Sequence, residues 1–99
     1  MTKLFLDDER KPPTGWILVR WPEEAIKYLE SGDVEIISLD HDLGDDEHGT
    51  GYDIILWIEE AVVNNNFKPP EIIVHSANVS ARIKMEAGIK NINKLLKLR

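Results

Sequence analysis

Val34-Glu35-Ile36-Ile37-Ser38-Leu39-Asp40-His41-Asp42-Leu43-Gly44 is the stretch that decides how this chain folds. Val34 to Leu39 is β-branched and apolar enough for a central strand, and it stops abruptly in a polar burst. The same change occurs twice more. Leu4-Phe5-Leu6 runs into Asp7-Asp8-Glu9-Arg10, and Glu71-Ile72-Ile73-Val74 runs into His75-Ser76-Ala77-Asn78. Between these strands the apolar period changes from two to about 3.6. Pro22 followed by Glu23 and Glu24 suits a first helical turn, Ala25, Ile26 and Leu29 give that helix an inner face, and Ser31-Gly32 stops it. Thr50 with Asp53 predicts a capping box ahead of Ile54, Ile58, Ala61 and Val62, and Asn64 to Asn66 with Pro69-Pro70 end that segment. Met85, Ile89, Ile92 and Leu96 mark a last, long helix.

Strands alternating with helices predict an α/β domain spanning residues 1–99, an open, mostly parallel four-stranded sheet with helices against it in two or three layers. Trp16 to Arg20 reads as the remaining strand, reached through the loop Lys11-Pro12-Pro13-Thr14-Gly15. A connection of about ten residues is near the minimum for a parallel crossover, so this strand is either parallel or an antiparallel edge. Ligands of such sheets bind beyond the carboxyl ends of the strands. All three polar bursts therefore belong on one rim.

Composition narrows the chemistry. The 99 residues include no cysteine, which excludes disulfides and thiolate zinc sites. No apolar run approaches the ~20 residues of a membrane span, and Met1-Thr2-Lys3 leads straight into a strand, so a cytoplasmic protein without membrane contact is expected. Residues 1–81 carry a balance of −11 and residues 82–99 a balance of +5. That acidic body would repel a duplex backbone, so no duplex nucleic acid is expected as partner. The basic tail fits a solvated helix face.

Carboxylates gathered within a few ångströms raise one another's pKa unless a cation compensates. Hard oxygen ligands with room for water and phosphate suit Mg²⁺ or Mn²⁺, and imidazole shifts the preference toward Mn²⁺. Asp7, Asp8 and Asp40 are the expected metal ligands, with Asp42 or His41 as a fourth. His75 is placed to protonate a leaving oxygen. Ser76 and Asn78 are expected to donate hydrogen bonds to phosphate oxygens, and Arg10 to hold two of them at once. Each residue also has a purely structural role open to it. Asp7-Asp8 suits a turn, His41 can orient Asp40, His75 can be a buried histidine, and Asn78 suits a helix N-cap.

An acidic pair after strand one, an Asp after strand three and a Ser after strand four resemble the layout of response-regulator receiver domains, which share the flavodoxin-like fold. LFLDDER followed by PP and GW, then SLDHDLG, GTGYD and HSAN, is more similar to the cyclic-phosphate-processing receiver-like family, over nearly the whole chain. That resemblance implies action on a cyclic phosphate or cyclic nucleotide, and the rim residues make metal-dependent hydrolysis the expected reaction, with His75, His41 and Asp40 as catalytic residues. The alternative is a non-catalytic receiver-like module that binds a cyclic nucleotide or a protein partner. No fifth strand follows HSAN, so the lysine that closes a receiver site has no counterpart, and two histidines stand where receivers need none. Ordinary phosphorelay signalling is therefore disfavoured. The missing strand also exposes a sheet edge, through which a homodimer could pair unless the last helix covers it.

Overall fold

The period-two alternation of the strands is what the computed structural model, describing residues 1–99, turns into a core. It contains β1 (Thr2–Leu6), β2 (Ile17–Val19), α1 (Pro22–Ser31), β3 (Val34–Leu39), α2 (Gly51–Asn65), β4 (Glu71–Val74) and α3 (Val79–Lys97). The strands form one sheet in the order β2-β1-β3-β4, and every pairing is parallel. Leu4 pairs with Ile37 and Leu6 with Leu39, and this register carries on to Ile72 and Val74. All four of the central residues are fully buried, and they meet Ile54, Ile58, Met85 and Ile92 from the helices. Burying side chains of this size contributes roughly 1.5–3 kcal/mol each.

Handedness decides the layers. The steps from β2 to β3 and from β3 to β4 move in the same direction across the sheet, so right-handed crossovers put α1 and α2 on the same face. The last helix joins them by packing along α2, where a Cβ on Gly88 would lie 2.6 Å from Ile55 Cγ2. The result is a two-layer receiver-like domain. The step from β1 to β2 moves the opposite way, which sends residues 7–16 over the other face. There Trp16 meets Phe5 edge-on with ring centroids 6.3 Å apart. The direction of β2, open from sequence, is parallel. A short crossover suffices because it passes only to the adjacent strand.

Local signals explain the boundaries. Only Ile17–Val19 of the expected Trp16–Arg20 segment is strand. Trp16 N–H donates back to Pro13 O, and Arg20 N–H is captured by Glu24 Oε1 as α1 begins. Gly32 and Asn66 end α1 and α2 in the left-handed conformation, φ 77° and 54°. Asp53 Oδ2 accepts from Thr50 N–H at 2.9 Å, and Asn78 Oδ1 caps α3 by accepting from Ala81 N–H. No helix is long and apolar enough to cross a membrane.

Candidate active site

Three ladder hydrogen bonds continue one residue past the strands and fix the rim. Asp7 N–H donates to Val19 O, Asp40 N–H to Leu6 O, and His75 N–H to Leu39 O, at 3.2, 3.0 and 2.9 Å. Asp7, Asp40 and His75 are thereby locked side by side at the carboxyl edge of the sheet. One ligand atom from each lies within 4.8 Å of the others. The start of α2 closes in beneath them. Gly51 N–H donates to His41 O, and a Cβ on Gly51 would fall 2.0 Å from Asp40 O, so only glycine lets helix and strand end approach this closely.

Asp7 is held on every side. Its Oδ1 accepts from the backbone N–H of Glu9 at 2.8 Å and of Arg10 at 2.9 Å, which is the turn chemistry that Asp favours. Its Oδ2 meets His75 Nε2 at 2.9 Å. Burial acts to raise the pKa of this carboxyl, but the two backbone donors and His75 outweigh it and hold the value below the ordinary one.

His75 in turn is clamped. Its Nδ1 meets Ser38 Oγ at 2.6 Å, and its ring stacks on Phe5 with centroids 4.2 Å apart and planes 4° from parallel. Ser38, His75 and Asp7 thus form a chain with the membership of a nucleophilic triad. Ser38 is only 1% exposed, however, on the helix-free face of the sheet. No substrate reaches its hydroxyl. The chain braces Asp7, with both ring nitrogens of His75 engaged in it.

Asp40 has the opposite surroundings. Its Oδ1 accepts one hydrogen bond, from His41 N–H at 2.8 Å. Burial raises its pKa, and the charges of Asp7 and Asp8 push the same way. Between these carboxylates lies a pocket of about 230 Å³ lined by Asp7, Asp8, Glu9, Arg10, Asp40, Asp42 and Ala77. All four sequence-predicted metal ligands line it, together with Arg10, whose Nη1 donates to His75 O at 3.4 Å. His41 sits behind the rim with Nδ1 2.8 Å from Asp42 Oδ1 and no hydrogen bond to Nε2. That contact, with a smaller one from Asn78, keeps the Asp42 carboxyl below its ordinary pKa.

Two expected phosphate donors are otherwise employed. Ser76 is buried, its Oγ accepts from Asn78 N–H at 3.1 Å, and it does not line the pocket. Asn78 caps α3 with Oδ1 and reaches Asp42 Oδ2 with Nδ2 at 3.4 Å. The sequence reading missed Ser38, Phe5 and the lining residues Glu9 and Ala77. Ser38 had one signal, a polar residue between Ile37 and Leu39 inside a buried strand.

A parallel sheet whose carboxyl rim carries an acidic pair after β1 and an aspartate after β3 defines a receiver-like domain. Residues 2–91 match the family described as Cyclic-phosphate processing Receiver domain, and the chain belongs to that family. Neither a curated protein nor a solved structure matched the chain.

Proposed function

We propose that this domain opens cyclic phosphodiesters by hydrolysis, using a divalent cation, Mg²⁺ or Mn²⁺, in the rim pocket. The observation that carries this reading is the condition of Asp40. Its carboxyl is half-buried and clustered with Asp7 and His75, burial and the charges of Asp7 and Asp8 raise its pKa, and a cation relieves that repulsion. The donor set is hard oxygen throughout, which suits either ion. Asp7, Asp8 and Asp40 would hold it, with Asp42 as a fourth ligand. When bound, such an ion supplies Lewis acidity and charge neutralisation toward phosphoryl oxygens.

The chain's own residues supply the rest. Arg10 is the cation lining the pocket, and its planar guanidinium can hold two phosphoryl oxygens. In the reaction a water oxygen bonds to phosphorus, one ring P–O ester bond breaks, and a proton from water ends on the departing alcohol oxygen, leaving a phosphomonoester. His41 does not line the pocket, so a proton exchanged between its Nε2 and the departing oxygen would travel through water, with Asp42 fixing the ring through Nδ1. His75 keeps Asp7 in place and is a positioning residue.

Incubation with Mg²⁺ or Mn²⁺ and a panel of 2′,3′-cyclic, 3′,5′-cyclic and cyclic oligonucleotide phosphates, followed by phosphorus NMR, tests the proposal. A new phosphomonoester that disappears on chelation is the expected result. A second reading is capture without turnover, favoured by the engagement of both His75 nitrogens, which leaves the pocket itself without a histidine donor. It predicts line broadening of unchanged ligand. An acid-labile protein adduct would replace both readings with a phosphoacceptor role for Asp40.

A further inference from the structure

We infer that the base of a bound nucleotide, or whatever other group carries the cyclic phosphate, stays outside the site, so that the substrate class is cyclic phosphates irrespective of base. This inference rests on the proposed hydrolysis and specifies what the same pocket reads.

The walls carry the argument. Six of the seven lining residues are ionisable side chains, and Ala77 provides the single apolar surface. Pockets that enclose a whole organic ligand run to roughly 300–1,000 Å³ and are built mainly from apolar and aromatic side chains. This one offers about 230 Å³ and no aromatic wall. It has room for a phosphoryl group and part of its ring, and its materials suit a cation and an anion.

Proteins that read bases stack them on aromatic faces or hydrogen-bond their edges. None of the aromatic rings lines the pocket, and most are engaged with a neighbour. Phe5 is stacked by His75, and Trp16 stands edge-on to it. Trp21 is stacked by His48 at 3.7 Å and also carries the Arg20 guanidinium at 4.5 Å. Trp57 is engaged with Phe67, and Tyr52 lies under Lys84 Nζ. Edge readers are equally scarce, since neither Ser76 nor Asn78 lines the pocket, Ser76 Oγ and Asn78 Oδ1 serve the start of α3, and Asn78 Nδ2 reaches Asp42. Arg10 is the one cation in the lining, and its natural partner is the phosphate.

The test uses named probes with the intact chain and Mn²⁺: the 2′,3′-cyclic and 3′,5′-cyclic phosphates of adenosine, guanosine, cytidine and uridine, plus base-free glycerol 1,2-cyclic phosphate and propane-1,3-diyl phosphate. For the ring size that is processed, kcat/KM should agree within about five-fold across the four bases, and the base-free probe should stay within about ten-fold, because no interaction of the base is lost. A preference of about 100-fold or more for one base, or no turnover of the base-free probe, overturns the inference and leaves hydrolysis standing. Line broadening without product, or no effect with any probe, overturns the proposed hydrolysis, and this inference with it.

Discussion

Asp7 and Asp40 end neighbouring strands and face the same pocket, yet the fold treats them in opposite ways. Asp7 receives two backbone N–H groups and His75, and its pKa falls. Asp40 receives one backbone N–H, sits in the field of Asp7 and Asp8, and its pKa rises. On the proposed reading, Asp7 is the ligand already oriented by the protein and Asp40 the one whose repulsion a cation relieves. A carboxylate whose charge is already satisfied stabilises the protein, whereas one left in repulsion is a liability that a bound cation converts into affinity. Active sites commonly hold such strained electrostatics.

The sharpest way to break this comparison is to neutralise each side in turn. Asp40→Asn keeps an acceptor for His41 N–H but removes the charge, so turnover should fall by at least about 100-fold, a loss typical of removing a key electrostatic group. The same variant, free of metal at pH 7, should melt at a higher temperature than the parent. An unchanged rate or a lower melting temperature would contradict the role given to Asp40.

Asp7→Ala should behave in the opposite sense. It leaves the Glu9 and Arg10 amides and His75 Nε2 without their acceptor, at a cost of about 2–4 kcal/mol in a urea titration, since unsatisfied polar groups cost roughly 1–3 kcal/mol each. Ser38→Ala should show the intermediate case. It frees His75 Nδ1, and a residue that orients a ligand from behind typically changes metal affinity by about 10–100-fold. Calorimetric titration with Mn²⁺ reads that change, while a serine-directed phosphonate should leave the parent unmodified.

The pH dependence of melting separates the two carboxylates without a change in rate being needed. Asp7 has a lowered pKa, so its stabilising effect is present above the ordinary carboxylate value and is lost as pH falls through the folded value. Asp40 has a raised pKa, so its favourable contribution exists below the ordinary value and is lost as pH rises through the folded one. The advantage of Asp40→Asn over the parent should therefore grow from pH 4 to pH 7 and vanish in acid. A constant offset would mean that charge is not its cause.

The smallest expected effect lies away from the pocket, at the contact between His48 and Glu23. His48 Nε2 approaches Glu23 Oε1 at 2.6 Å and lowers the glutamate's pKa, but both side chains are substantially exposed. Glu23→Gln should cost no more than about 0.5 kcal/mol, and that only at low salt. A larger loss would show that the Trp21 and His48 stack anchors the loop after β3 to α1 more firmly than its exposure implies.

Much of this was legible in the chain. The alternating and helical periods around Val34–Leu39 gave the element order, and the three polar bursts gave the rim, because parallel strands place their carboxyl ends together. The Thr50–Asp53 pair and Asn78 were readable as caps because a cap is a contact between near neighbours. Ser38 and Phe5 escaped notice as partners of His75, since they lie 37 and 70 positions away in sequence. No local pattern encodes that meeting.

A mostly parallel α/β sheet with Asp7, Asp8, Asp40 and Asp42 on one edge could be read from the chain, because the apolar periods and the alternation of strand with helix are local properties. Packing between distant segments was needed to show that the helices share one face, that β2 runs parallel, that His75 braces Asp7, and that Asp40 lies half-buried in the field of Asp7 and Asp8. Those outcomes depend on desolvation and on donors brought in from distant segments, and such quantities exist only once the chain has closed upon itself.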